Sequence, residues 1–149
     1  LWFTLWFTFQ SVKGRKEINA YAAKLMQKLG ISEIADNDVN EVSGGQLQRA
    51  CICRSLINHP RILFADEPTG ALNKQSSHEV MEELNRIHKE GTSILLVTHD
   101  MKVASRCDRV LYIEDGNIRD EMQLGAWEDC TDIRKRERRL NEWLITLGW

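Results

Sequence analysis

"VSGGQ" (Val42 to Gln46) and "ILFADEP" (Ile62 to Pro68) are the two stretches that decide how this chain is read. In the first, a serine three residues ahead of a glutamine matches a capping box at a helix N-terminus, and the glycines between them let a ligand approach the backbone. A helix start presents unpaired N–H groups and partial positive charge, so Ser43, Gly44, Gly45 and Gln46 are candidates to hold a phosphate. In the second, a short apolar run ends in two carboxylates. The tip of a parallel strand is where ligands bind in open α/β sheets, so Asp66 is the candidate for Mg²⁺ and Glu67 the candidate to orient or deprotonate a water.

The rest of the chain supplies a frame for these stretches. With 149 residues, the chain suits one domain able to bury about 68–70% of its unfolded surface. A net charge of -2 lowers the expectation of a nucleic-acid partner. Cys51, Cys53, Cys107 and Cys130 lack paired C-x-x-C spacing and read as reduced cytosolic thiols. The apolar segment Leu1 to Phe9 is too short for a bilayer, which needs ~20 residues. It stays open between a buried helix face or strand, an artificial start, and contact with a membrane protein.

Helical spacing of Ile18, Tyr21, Ala22, Leu25 and Leu29, closed by Gly30, predicts a first helix over 17–29. The next helix should run from Ser43 to about Asn58. Ile62 to Ala65 and Ser93 to Thr98 read as strands covered on both faces. A helix from Asn73 to Gly91 with Val80, Leu84 and Ile87 inward joins them in a βαβ crossover. After a short helical turn following Asp100, Val110 to Ile113 and Ile118 to Met122 flank Asp115-Gly116 as a hairpin forming the sheet's antiparallel edge. "RKRERR" (Arg134 to Arg139) opens a terminal helix, expected to pack on its own domain with its charges solvated, the alternatives being a membrane or a partner helix. His99, at the tip of the second strand, is a candidate phosphate sensor. His59, His78 and His88 have no such placement and receive no role.

These residues together resemble an ABC-transporter ATPase cassette. "VSGGQLQRA" is similar to its signature motif, "ILFADEP" to its Walker B strand, "GALN" to its D-loop and "LVTHD" to its H-loop, in the family's order from Glu17 to about Met122. "DEPTGALN" and the ending "EWLITLGW" are similar to the MacB/LolD/FtsE-like branch, especially bacitracin- and lantibiotic-type peptide exporters. The resemblance implies an α/β partial P-loop NTPase fold: a parallel sheet core, flanking helices, an antiparallel edge hairpin and a C-terminal helix. It implies one partial domain over 1–149, with helical-subdomain residues at about 14–58, an α/β core at 59–122 and a tail at 123–149. Val42 stands where leucine is usual, and Asn73 where aspartate is common.

By resemblance the chain is an ATPase subunit of a transporter, with ATP and Mg²⁺ as cofactors. Its partners would be a second cassette and a membrane permease, without nucleic acid, and its place the inner face of the cell membrane. Ser43, Gly44 and Gly45 would touch the γ-phosphate of ATP on the opposite cassette, with Gln46 supporting that helix start. Asp66 would serve Mg²⁺ through water, Glu67 the lytic water, and His99 the γ-phosphate. Ala71, Leu72 and Asn73 would lie along the dimer interface. No G-x-x-x-x-G-K-[ST] stretch occurs in the 149 residues, and Gln10 lies too close to Ser43 to serve as a Q-loop glutamine. The chain alone is therefore expected to be inactive, with apolar surface and strand edges uncovered. Two rival readings are a soluble ABC-type ATPase of DNA repair or translation, and a truncated non-catalytic interaction module.

Overall fold

The computed structural model describes residues 15–128 and 132–149, with side chains from Asn19 onward. The segment Leu1 to Phe9, Gln10, Cys130 and the side chain of Ile18 lie outside the described residues. The chain divides into two compact units, one ending at Leu96 and one running from Val97 to Trp149.

In the first unit, α1 (Arg15–Lys28) buries Ala22, Leu25 and Met26, with Leu29 just beyond it. It ends as the sequence predicts. Gly30 takes φ +62°, which lets its N–H reach the Gln27 carbonyl at 3.2 Å while the Ile31 N–H reaches Met26 at 2.9 Å. This is a Schellman stop, and Ile31 is fully buried beneath it. The stretch 32–41 contains two 3₁₀ turns, Ser32–Ile34 and Val39–Glu41. α2 (Gly44–Leu56) follows and packs against α1.

Strand β1 (Ile62–Asp66), helix α3 (Lys74–Lys89) and strand β2 (Ser93–Val97) form the crossover, and β1 and β2 are hydrogen-bonded neighbours in a parallel sheet. Helix α3 buries Val80, Met81, Leu84 and Ile87, the face that the 3.6-residue period picks out. Each such side chain contributes about 1.5–3 kcal/mol when fully buried. Its C-terminus repeats the Schellman pattern, with Thr92 N–H on the Ile87 carbonyl and Gly91 N–H on that of His88. Arg86 of α3 donates to the Lys28 carbonyl at the end of α1 and pairs with Glu83, and Lys28 pairs with Glu90.

The expectation that both strands are covered on both faces is corrected here. Leu63 is 6% exposed, but its neighbours Ile62 and Phe64 point the other way and Phe64 is 74% exposed. Along β2, Leu95 and Val97 are exposed as well. Alternate residues of a strand face opposite sides, and among the described residues only one side of β1 is packed. The expected uncovered apolar surface is thus present as a row of side chains on these strands.

In the second unit, Asp100 caps the short helix α4 (Met101–Ala104) through the Lys102 N–H at 2.8 Å. Strands β3 (Arg109–Glu114) and β4 (Asn117–Gln123) pair antiparallel from Arg109↔Gln123 to Glu114↔Asn117. Asp115 and Gly116 both adopt positive φ, +51° and +75°, as a tight two-residue hairpin turn requires. Among the described residues this hairpin is a two-stranded sheet of its own. Every rung of its ladder is internal to the hairpin, from one end of the two strands to the other.

The terminal helix α5 (Ile133–Thr146) packs on this unit through Leu140 and Leu144, and the Trp143 indole N–H donates to the Asp120 carboxylate at 2.9 Å. One member of the basic run is not solvated. Arg136 is 6% exposed, and its guanidinium donates to four backbone carbonyls: Ser105 and Cys107 at 2.7 Å, Leu124 and Gly125 at 3.1 Å. The planar five-donor fork can join the end of α4 to the exit of β4 in a way that a lysine cannot.

Replacing Arg136 by Met leaves those carbonyls without a donor and should cost about 3 kcal/mol, read as a lower urea midpoint for the second unit; an unchanged midpoint would refute the anchoring role. The described cysteines are free thiols, and burial pushes Cys53 and Cys107 up to about 11 from 9.0. A thiol whose folded pKa is raised holds its proton more tightly when folded, so stability is full below pH 9.0 and falls as pH rises through about 11. At pH 8 the exposed Cys51 should be alkylated first, with Cys53 and Cys107 reacting only on unfolding, a sequence that mass-resolved labelling tests.

Candidate functional site

The phosphate-cradle candidate is a helix start built by reciprocal side-chain bonds. The Ser43 hydroxyl oxygen accepts from the Gln46 N–H at 3.2 Å, and the Gln46 side-chain oxygen accepts from the Ser43 N–H at 2.9 Å. The capping box read from the sequence is therefore formed. The Leu47 N–H opens the helical ladder on the Ser43 carbonyl at 2.9 Å. Gly44 and Gly45 thus contribute helix-start N–H groups that neither the box nor the ladder takes up. The Ser43 hydroxyl accepts with its oxygen, so its own hydrogen remains available to a ligand. Ser43 and Gly44 are exposed, as a phosphate would need.

Gly45 is buried, and its smallness has a second cause that the sequence does not show. A methyl placed on Gly45 would lie 2.8 Å from both Cβ and Oγ of Ser76, in the first turn of α3. One on Gly44 would lie 3.3 Å from Cδ2 of Leu72. The two glycines therefore let the start of α2 close onto the turn and helix that follow β1. Further along, Arg49 of α2 reaches Glu79 of α3 at 2.6 Å. Gln75 also donates to Glu79 at 2.9 Å, and this bond, then that from Arg49, holds the Glu79 carboxyl below its usual range. Sequence reading missed Ser76, Arg49 and Glu79, because no local pattern says which side chains meet across two helices.

The carboxylates stand where β1 ends. Asp66 is its last residue and is exposed. Glu67 follows in the left-handed region at φ +42°, uncommon for a non-glycine residue and therefore a mark of local constraint. Its carbonyl accepts the Gly70 N–H at 3.1 Å, closing the turn through Pro68 and Thr69, both buried. This departure from extended backbone takes Glu67 out of the strand's regular alternation. Asp66 offers a hard, solvent-facing oxygen donor, which suits Mg²⁺ held largely by waters and phosphate oxygens. Among the described residues no group of three or more His, Cys, Asp or Glu could hold a metal alone.

Ala71, Leu72 and Asn73 connect this turn to α3. Asn73 is the N-cap of α3, its side chain accepting from the Ser76 N–H at 2.9 Å. An asparagine caps as well as an aspartate, so the departure from the commoner acidic residue leaves this helix start intact. His99 belongs to the second unit, where it is exposed directly ahead of Asp100, whose N–H donates to the Thr98 hydroxyl at 3.0 Å. Of the three histidines given no role, His59 is a structural partner of Tyr21, its Nδ1 3.1 Å from the phenolic oxygen.

The family model described as "ABC transporter" matches residues 4–70. The chain is 47% identical over 97 residues to the macrolide export ATP-binding/permease protein MacB of Bartonella henselae, covering 65% of this chain and 15% of that protein. With the protein of the same name from Neisseria meningitidis serogroup B it shares 48% over 105 residues, 70% of this chain and 16% of that protein. The chain thus spans less than a fifth of the length of these relatives. Among solved structures it is similar to the ATP-binding cassette MJ0796 in a dimeric post-hydrolysis state bound to ADP and Pi. That match has a TM-score of 0.68 and 31% identity over 83% of this chain and 54% of that one.

Gly45→Ala should destabilise the first unit by about 1–3 kcal/mol through overpacking on Ser76. Adding Ser76→Gly should recover much of that loss, giving a non-additive double-mutant cycle in urea unfolding. Additive losses would show that the two residues do not meet.

Proposed function

The chain belongs to the ABC-transporter ATPase family, and from that premise we propose that it supplies the signature and hydrolytic residues of a transporter ATPase. The observation that carries this reading is Glu67 in its left-handed turn directly after Asp66 at the tip of β1. It is supported by the capped helix start at Ser43.

In this mechanism two cassettes stack head to tail. Ser43 and the N–H groups of Gly44 and Gly45 close over the γ-phosphate of ATP carried by the opposite cassette, with Gln46 fixing the serine's orientation. Glu67 takes a proton from the attacking water at a carboxylate oxygen, and His99 donates a ring N–H to the γ-phosphate. Asp66 would hold Mg²⁺ through water, and the metal would neutralise charge developing on the phosphate oxygens. Ala71, Leu72 and Asn73 line the interface between cassettes. Because Leu72 touches Gly44 and Ser76 touches Gly45, a shift at that interface would reach the helix start that grips the phosphate.

ATP closes the pair, and loss of the γ-phosphate contact after hydrolysis opens it and moves a coupled membrane permease. The chain would act at the inner face of the cell membrane through that permease. Among its described residues no helix is long and apolar enough to cross a membrane. The transported compound would be peptide- or lipid-like, chosen by the membrane subunit. Within its 149 residues the chain has no G-x-x-x-x-G-K-[ST] loop.

The isolated chain should release phosphate from ATP at no more than background, and Glu67→Gln should change nothing. Turnover abolished by Glu67→Gln would overturn this. With an intact cassette of the same family, ATP should promote association measurable by light scattering. Gly44→Asp, which places a carboxylate at the phosphate's position, should weaken that association at least about tenfold; ATP-independent association unaffected by the substitution would sink the signature assignment.

A further inference from the structure

We propose that the outer face of α5 docks on an anionic lipid surface. Helix α5 is held to its unit by Arg136, Leu140 and Leu144, which leaves its opposite side to solvent. At 100° per residue, Arg134, Arg138, Glu142 and Ile145 fall on one line, flanked by Lys135 and Arg139, and all six are exposed. Four cations against one carboxylate give this face a positive field, although the whole chain carries a net charge of -2.

The apolar end of the face is also fixed. The Trp149 N–H donates to the Leu144 carbonyl at 3.2 Å and the Gly148 N–H to Ile145 at 3.1 Å, so a Schellman stop folds Trp149 back toward the helix. Trp149 is nevertheless 58% exposed, and Ile145 is 60% exposed. Arginines followed along one line by an isoleucine and an indole match the chemistry of a helix lying in a membrane interface. There the cations meet lipid phosphates and the apolar tip enters the acyl boundary. A nucleic acid or an acidic protein would satisfy the arginines but would leave Ile145 and Trp149 without a use.

The packing of α5 on its own unit is compatible with this docking, because the buried and exposed residues lie on opposite sides. The proposal is independent of ATP hydrolysis and of any permease.

The test is co-sedimentation of the whole chain with vesicles of phosphatidylcholine alone or with about 30% phosphatidylglycerol, at low salt and at about 0.5 M salt. Binding to the anionic vesicles alone, lost at high salt, is expected. Arg138→Gln with Arg139→Gln should weaken it by about 30-fold, from roughly 1 kcal/mol per cation near the surface. Trp149→Ala should weaken it several-fold. All these side chains are exposed, so unchanged urea midpoints should accompany the losses. No retention on anionic vesicles overturns the proposal, as does equal retention on both compositions. Retention insensitive to Trp149→Ala but matched by binding to heparin also overturns it, in favour of a general polyanion or acidic-protein surface.

Discussion

The close approach of Gly45 to Ser76 is the constraint on which the first unit depends. A helix start can grip an anion only if its N–H groups stay where the ligand needs them, and here that position is set by packing as well as by the capping box. Because a methyl on Gly45 would lie 2.8 Å from Ser76, α2 and α3 meet at their N-terminal ends with no room for a larger residue. The Arg49–Glu79 pair then ties the same helices further along. Gly45 answers a neighbouring helix's approach, and in the proposed function Gly44 would leave the backbone open to a phosphate.

That constraint links the parts of the candidate site that lie in one unit. Strand β1 delivers Asp66, the left-handed Glu67 reverses the chain, and the turn through Thr69 and Gly70 leads to Leu72 and the Asn73 cap. Leu72 touches Gly44 and Ser76 touches Gly45, so the stretch after the carboxylates is packed on the helix start before them. The second unit is organised on another principle. There a single buried guanidinium gathers four carbonyls from the end of α4 and the exit of β4, beside a small apolar core of Val103, Leu124, Leu140 and Leu144.

Much of this was legible in the sequence wherever the signal is local. The Ser43–Gln46 box, the stops at Gly30 and Gly91, the Asp100 turn and the Asp115-Gly116 hairpin each depend on residues within a few positions of one another, and each formed. The inward face of α3 followed from a period of 3.6. The misreadings share a different origin. An all-apolar run such as Ile62 to Ala65 suits a strand covered on both faces, but hydrophobicity states what a side chain prefers and not whether a neighbour is there to cover it. A run of six mostly basic residues suits a solvated face, and nothing in its composition marks Arg136 as the one that turns inward.

The sequence by itself determined the kinds of element, their caps and turns, and the family, because these rest on backbone chemistry and on motifs contiguous in the chain. Only the tertiary structure decided that Gly45 is small for Ser76, that Arg136 is an anchor and that Phe64 faces solvent. Each of those facts concerns groups brought together across space. Whether a given glycine, arginine or phenylalanine is buried depends on the shape of the neighbour it meets, which no spacing along the chain encodes.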